Sequence, residues 1–150
     1  MRRLMPAAVV VLLACGGGSG PRSAATTPVV SSAQAVRMFM QAAADSNLTR
    51  MGELWGSDGG PAAETGTPPD YEKRLFIMQA YLRGDSIRVV SDMAIPGDNG
   101  HRRVTIALYR QACPKQIPIT MVRTKAGGWI VNAVDLNAAG NPARPCESND

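Results

Sequence analysis

The chain opens on an unbroken apolar run: Leu4 to Ala14 carries no charge and follows the basic pair Arg2-Arg3. Crossing a bilayer takes roughly 20 apolar residues. This run is about half that, the length of an export-signal core. From Gly16 to Ser31 the rhythm is lost among Gly, Ser, Thr, Ala and Pro, a composition that cannot bury enough apolar surface to offset its own ordering. A helical period then begins. Val36, Phe39, Met40 and Ala43 recur at i, i+3, i+4 and i+7, which predicts a helix over 33–45 opened by a capping box of Ser31 and Gln34. Asp45-Ser46-Asn47 should break it, because these side chains compete for local backbone bonds. A second, short helix is expected over 48–55, with Leu48, Met51, Leu54 and Trp55 on one side and Gly56 at its end.

Residues 56–69 read as a long Gly/Pro/Ala/Thr loop, either simply mobile or serving as a lid or partner contact. The strongest helix follows. Asp70 is its expected N-cap, Glu72 suits the positive first turn, and Gly84 supplies the stop. Tyr71, Leu75, Met78 and Leu82 define its buried stripe, which Phe76 and Ile77 should widen.

Beyond Gly84 the period changes to two. Ile87, Val89, Ser91, Met93 and Ile95 should share one face of a strand, with Arg88 and Asp92 on the other. Residues 96–100 should turn, and Val104, Ile106 and Leu108 should face inward on a strand over 103–110. A loop over 111–116 would carry Cys113-Pro114. Ile117, Ile119 and Met121 should face inward on the next strand, where Pro118 requires an edge or an irregular spot. A hairpin turn over 125–128 leads to a last strand over 129–136, and a tail follows. Helices first and antiparallel strands after give an α+β fold, with N-terminal helices packed on a curved four-stranded meander, cone-like in outline. The expected organisation is a leader over 1–14, a tether over 15–31, one domain over 32–137 and a tail over 138–150, with Phe39, Trp55, Phe76 and Met78 as large core members.

Charge changes little in this picture. The net charge of +4 includes Arg2 and Arg3, so the chain without them carries +2. There is no Lys/Arg cluster interleaved with aromatics, which argues against a nucleic-acid partner. Arg102-Arg103 reads as a solvated strand start. Met38, Met40, Met51, Met78, Met93 and Met121 fall mostly at core spacing, which points to packing rather than to a soft metal. No cofactor and no metal site are expected: two late cysteines and the distant His101 do not make a tetrahedral set.

Leu12-Leu13-Ala14-Cys15 resembles the processing motif of bacterial lipoproteins, which has a Leu, a tolerant position, a small residue and then Cys. Leu13 departs mildly, standing where Ala, Ser or Thr is commoner. The resemblance implies cleavage before Cys15, a diacylglyceryl thioether on its sulfur and an acylated new N-terminus, so that acyl chains hold the protein to a membrane. Gly16, in place of the Asp that retains such proteins, implies the outer membrane facing the periplasm if the source is Gram-negative. The alternative is an ordinary secretory signal cut elsewhere. With Cys15 acylated, Cys113 and Cys146 remain. In an oxidising envelope they most simply form a disulfide, with two free thiols as the second reading.

A further resemblance covers residues 32–136. Val36, Phe39 and Ala43 on a first helix, Leu54 on a second, and Gly128-Trp129-Ile130-Val131 before Asp135 on the last strand are similar to the nuclear-transport-factor-like (cystatin-like) cone domains, and to the small bacterial lipoproteins that carry one. Catalytic members of that family place Asp, His and Tyr in the cone's pocket. No such set is matched here: His101 falls in a turn, Asp92 should point outward, and Asp45 and Asp70 lie at helix ends. The expectation is therefore a non-enzymatic, membrane-anchored envelope domain that binds a partner or small apolar ligand. One alternative is a pocket enzyme with isomerase- or dehydratase-like acid–base chemistry, for which Tyr71, Tyr81, Asp92 and Arg123 are the candidates. Another is a spacer in an envelope assembly, which would present an exposed apolar patch.

Overall fold

The structure is a computed structural model, and it describes residues 28, 29 and 31–147. Cys15, the leader and most of the tether lie outside the described residues. Helix α1 (Ser32–Ala44) starts where Ser31 Oγ accepts from the Gln34 N–H at 3.4 Å, and it buries Ala35, Val36, Phe39 and Ala43 completely. Helix α2 (Leu48–Leu54) is capped by Asn47, whose Oδ1 accepts from the Arg50 N–H.

The stretch expected as a featureless loop is built instead. It forms a small ribbon of β1 (Gly56–Ser57) and β2 (Gly60–Pro61), then one turn of helix, α3 (Ala62–Thr65), pinned by the fully buried Ala62. Two-residue strands and a four-residue helix are too short to show a period in the sequence.

Helix α4 (Tyr71–Leu82) buries Leu75, Met78, Gln79 and Leu82. Asp70 does not cap it with its side chain; its Oδ1 accepts from Arg74 Nε at 3.0 Å instead. Phe76 and Ile77, expected to widen the buried stripe, are 62% and 42% exposed. At about 100° of turn per residue, each lies roughly 130° from the centre of the stripe set by Tyr71, Leu75, Met78 and Leu82. Gly84 is also explained differently. Its backbone is not left-handed; a Cβ there would lie 2.5 Å from Leu108 Cδ1 and 2.8 Å from the Tyr109 carbonyl oxygen. Glycine lets the chain leave α4 hard against the sheet.

The sheet is an open antiparallel meander of β3 (Ser86–Ile95), β4 (Asp98–Arg110), β5 (Cys113–Arg123) and β6 (Trp129–Val134), in that spatial order. Only Gln111 and Ala112 connect β4 to β5. Both have positive φ, 49° and 64°, the geometry of a tight hairpin turn. The expected 111–116 loop is therefore strand, and Cys113 and Pro114 pair with Arg110 and Tyr109. Pro118 sits within a central strand. Its carbonyl accepts from the Asp135 N–H at 3.1 Å, so its missing donor faces the place where β6 pairing has already ended at Val134. There the chain turns into α5 (Leu136–Ala139), capped by Asp135, rather than extending the strand to 136.

A bulge resets β3. Val89 pairs with Ile106 and Ser91 with Thr105, which leaves Val90 as the extra residue. Alternation inverts after it. Asp92 opposes the fully buried Val104 and turns to the inner face, while Met93 opposes Arg103 and is 62% exposed. Both placements reverse the expectation from a period of two. The inner face then packs Val104, Ile106, Ile117, Ile119 and Met121 onto Phe39, Met51 and Leu54 in one core.

Candidate binding cleft

The space between helices and sheet is filled by these side chains, so the depressions lie at the surface. One of about 340 Å³ sits between α1 and β3, with Arg37, Gln41 and Asp85 beside Met40 and Leu108. A more apolar cleft of about 250 Å³ forms where the chain enters the domain.

This cleft is assembled by backbone contacts. The Trp129 N–H donates to the Val29 carbonyl at 2.8 Å, which lays the chain before α1 along β6. The Thr124 N–H donates to the Gly128 carbonyl and closes the β5–β6 turn. The Lys125 N–H donates to Asp58 at 3.0 Å and fixes that turn to the β1–β2 ribbon. A Cβ at Gly128 would lie 3.0 Å from Pro28 Cβ, so a side chain there would displace Pro28 and Val29. Val29, Leu54, Pro61 and Ile130 supply apolar wall, Trp129 an aromatic one, and Glu53 and Glu64 carboxylates. Glu53 is already paired with Arg50 at 2.5 Å. The arrangement suits a small apolar group with a polar end.

Trp55 braces the same region. It pairs in parallel with Val131, its Nε1–H donates to the Asn132 carbonyl at 3.0 Å, and Asn132 Nδ2 donates to the Gly56 carbonyl at 2.8 Å.

The residues considered for acid–base work are not brought together. Tyr71 is half-buried and its hydroxyl reaches Glu72 at 3.4 Å. Tyr81 is 37% exposed on α4, and Arg123 is exposed at the end of β5. Asp92 is occupied: Ser32 Oγ donates to its Oδ2 at 2.5 Å and Arg102 Nε to its Oδ1 at 2.7 Å. Arg102 is thus a half-buried partner rather than a solvated strand start, while Arg103 is exposed. His101 lies in β4, not in a turn, with Nδ1 2.8 Å from Asp98 Oδ2. Burial pulls the Asp98 carboxyl upward, but the Gly100 N–H and His101 outweigh it and hold the group below its ordinary range. Asp45 flanks α1 and accepts from Gln41 Nε2, and Asp70 is held below its usual range by Arg74.

Cys113 and Cys146 are placed as a disulfide, with Cα atoms 5.4 Å apart, and Lys115 Nζ donates to the Glu147 carbonyl beside it. Met40, Met51, Met78 and Met121 are core side chains. Among the described residues, no three His, Cys, Asp or Glu are grouped as metal ligands would be.

Arg110 was not singled out by the sequence, where it reads as the polar end of a strand. It is 6% exposed, and its Nε, Nη1 and Nη2 donate to the carbonyls of Arg83 (2.7 Å), Ala139 (2.8 Å) and Tyr81. Its charge therefore sits at the negative ends of α4 and α5, and burial lowers its pKa. Gln79 is a second such residue, donating to the Ala43 carbonyl and to Ser46 Oγ. No helix among the described residues is long and apolar enough to cross a membrane. Compared with known proteins, the chain matches no family model, no curated protein and no solved structure.

Proposed function

We propose that this chain is a lipid-anchored envelope protein whose folded domain, of the nuclear-transport-factor-like type, is a non-catalytic binding module. Cys15 carries the acyl chains, the residues after it form the tether, and the domain faces the periplasm from the outer membrane if the source is Gram-negative. The observation that carries the binding reading is the bond between Val29 and Trp129: the tether arrives at the rim of an apolar cleft, so an anchor upstream places that cleft next to the chain's point of attachment. The filled interior supports a binding role over pocket chemistry, because a general base needs hydrogen-bond reach to a substrate held against it.

Two measurements test this. Intact mass of the chain expressed with its leader and extracted from membranes should begin at Cys15 plus acyl chains; an unacylated soluble product overturns the anchor. Titration of the labelled protein with short alcohols and monocyclic aromatics should shift the amide signals of Leu54, Gly128, Trp129 and Ile130 selectively. No shift at those four positions at roughly 10 mM, weaker than the usual range of specific binding, overturns the cleft.

A further inference from the structure

Helix α4 buries one stripe and leaves large apolar side chains uncovered beyond it. Phe76, Ile77 and Ala80 are exposed on the opposite face, around the equally outward Lys73, and Tyr81 is exposed at its edge. Exposed aromatic and branched side chains grouped in this way mark an interaction site. Beside this face runs a groove of about 280 Å³ between α4 and β6, lined by Trp55, Ile77, Val134 and Leu136.

The polar residues framing the face identify what covers it. Glu72 and Arg83 are both exposed on one flank, and neither has a salt-bridge partner among the described residues. Eleven residues apart on one helix, they stand roughly 16 Å from each other and cannot meet within a chain. Arg74 and Tyr81 share the other flank. A second copy of α4 laid antiparallel across the first, with the twofold axis between Ile77 and Met78, matches both flanks at once. Glu72 meets Arg83 of the other copy, and Arg74 meets the ring of Tyr81. At the centre, Phe76 lies over the small Ala80 and the two Ile77 side chains touch. The antiparallel arrangement also opposes the helix dipoles favourably. We infer that the outer face of α4 is a self-docking surface, through which two copies of this chain pair antiparallel about a twofold axis.

A 12-residue helix face and its groove cover less than the roughly 800 Å² per partner of a standard interface. The pairing is therefore weak in dilute solution and is best read with the full chain in its membrane. In oxidised membranes, Ile77→Cys should give a disulfide-linked dimer, and Met93→Cys, more exposed (62% against 42%) but off the face, should not. Phe76→Asp, Glu72→Arg and Arg83→Glu should each cut the Ile77→Cys dimer roughly fivefold, and Glu72→Arg combined with Arg83→Glu should restore it to within about twofold. All of these positions are exposed, so the domain stays folded. Equal cross-linking at positions 77 and 93, or failure of the charge swap to restore the dimer, overturns the inference. So does a chain that remains monomeric while phosphatidylglycerol vesicles protect position 77 from thiol labelling.

Discussion

Ser32 and Asp92, 60 residues apart, are joined by a hydrogen bond of 2.5 Å from the Ser32 hydroxyl to the Asp92 carboxylate. The bond fastens the first turn of α1 to β3, and the carboxylate sits where the helix terminus favours negative charge. Arg102 closes the cluster with two donations, one to the Asp92 carboxylate and one to its backbone carbonyl. Asp92→Ala should destabilise the domain by about 1–3 kcal/mol, since it leaves the Ser32 hydroxyl without its acceptor and Arg102 with only the backbone carbonyl. Ser32→Ala alone should cost less, and the double-mutant cycle should show a coupling of roughly 0.5–2 kcal/mol in urea unfolding. Strict additivity would mean that the two residues do not act together.

Arg110→Met should cost about 2–4 kcal/mol by the same assay, because a side chain of similar length leaves three carbonyls at two helix ends without a donor. Arg110→Lys should recover only part of this, because one ammonium cannot follow the fork of a guanidinium.

Reduction of the Cys113–Cys146 bridge opens a loop of 33 residues. The chain-entropy relation gives about 3–4 kcal/mol for a loop of this size. The mass should rise by two hydrogen atoms, and amide protection over 140–147 should fall before that of β4 and β5. Unchanged stability on reduction would show that the tail is held by its other contacts.

The β3–β4 turn should loosen in acid. The folded-state pKa of Asp98 lies below its ordinary value, so its contribution is complete above that value and is lost as the pH falls through the folded one. The Gly100 and His101 amides, which donate to Asp98 Oδ1, should lose exchange protection below about pH 4. Protection that persists unchanged to pH 2 would assign those amides to another acceptor.

Gly128→Ala should lift Pro28 and Val29 from the cleft, at about 1 kcal/mol of overpacking. The Trp129 amide should then exchange faster, having lost its acceptor on Val29.

Elements with several turns or several alternations were legible in the sequence. Val36, Phe39 and Ala43 marked α1, Leu75, Met78 and Leu82 marked the inner stripe of α4, and Val104, Ile106, Ile119 and Met121 marked the sheet's inner face, all as observed. What was not legible depends on single residues. One unpaired residue, Val90, inverted the faces of Asp92 and Met93, and two residues with positive φ, Gln111 and Ala112, turned an apparent six-residue loop into a hairpin. Arg110 and Asn132 gave no local signal because their partners are carbonyls tens of residues away. The cleft was hidden for the same reason: Val29, Leu54 and Trp129 meet only in three dimensions.

The bulge at Val90 has a second effect. β3 is the outermost strand on its side of the sheet, ten residues long, whereas β6 on the other side is covered by Val29 and Trp55. An open edge of that length is a template on which foreign strands can add, and ultimately a seed for fibrous growth. The extra residue divides it into two short tracts out of phase with each other, with Arg88 on one and Asp92 on the other. An incoming strand in register with the first is out of register with the second, so the sheet ends at four strands.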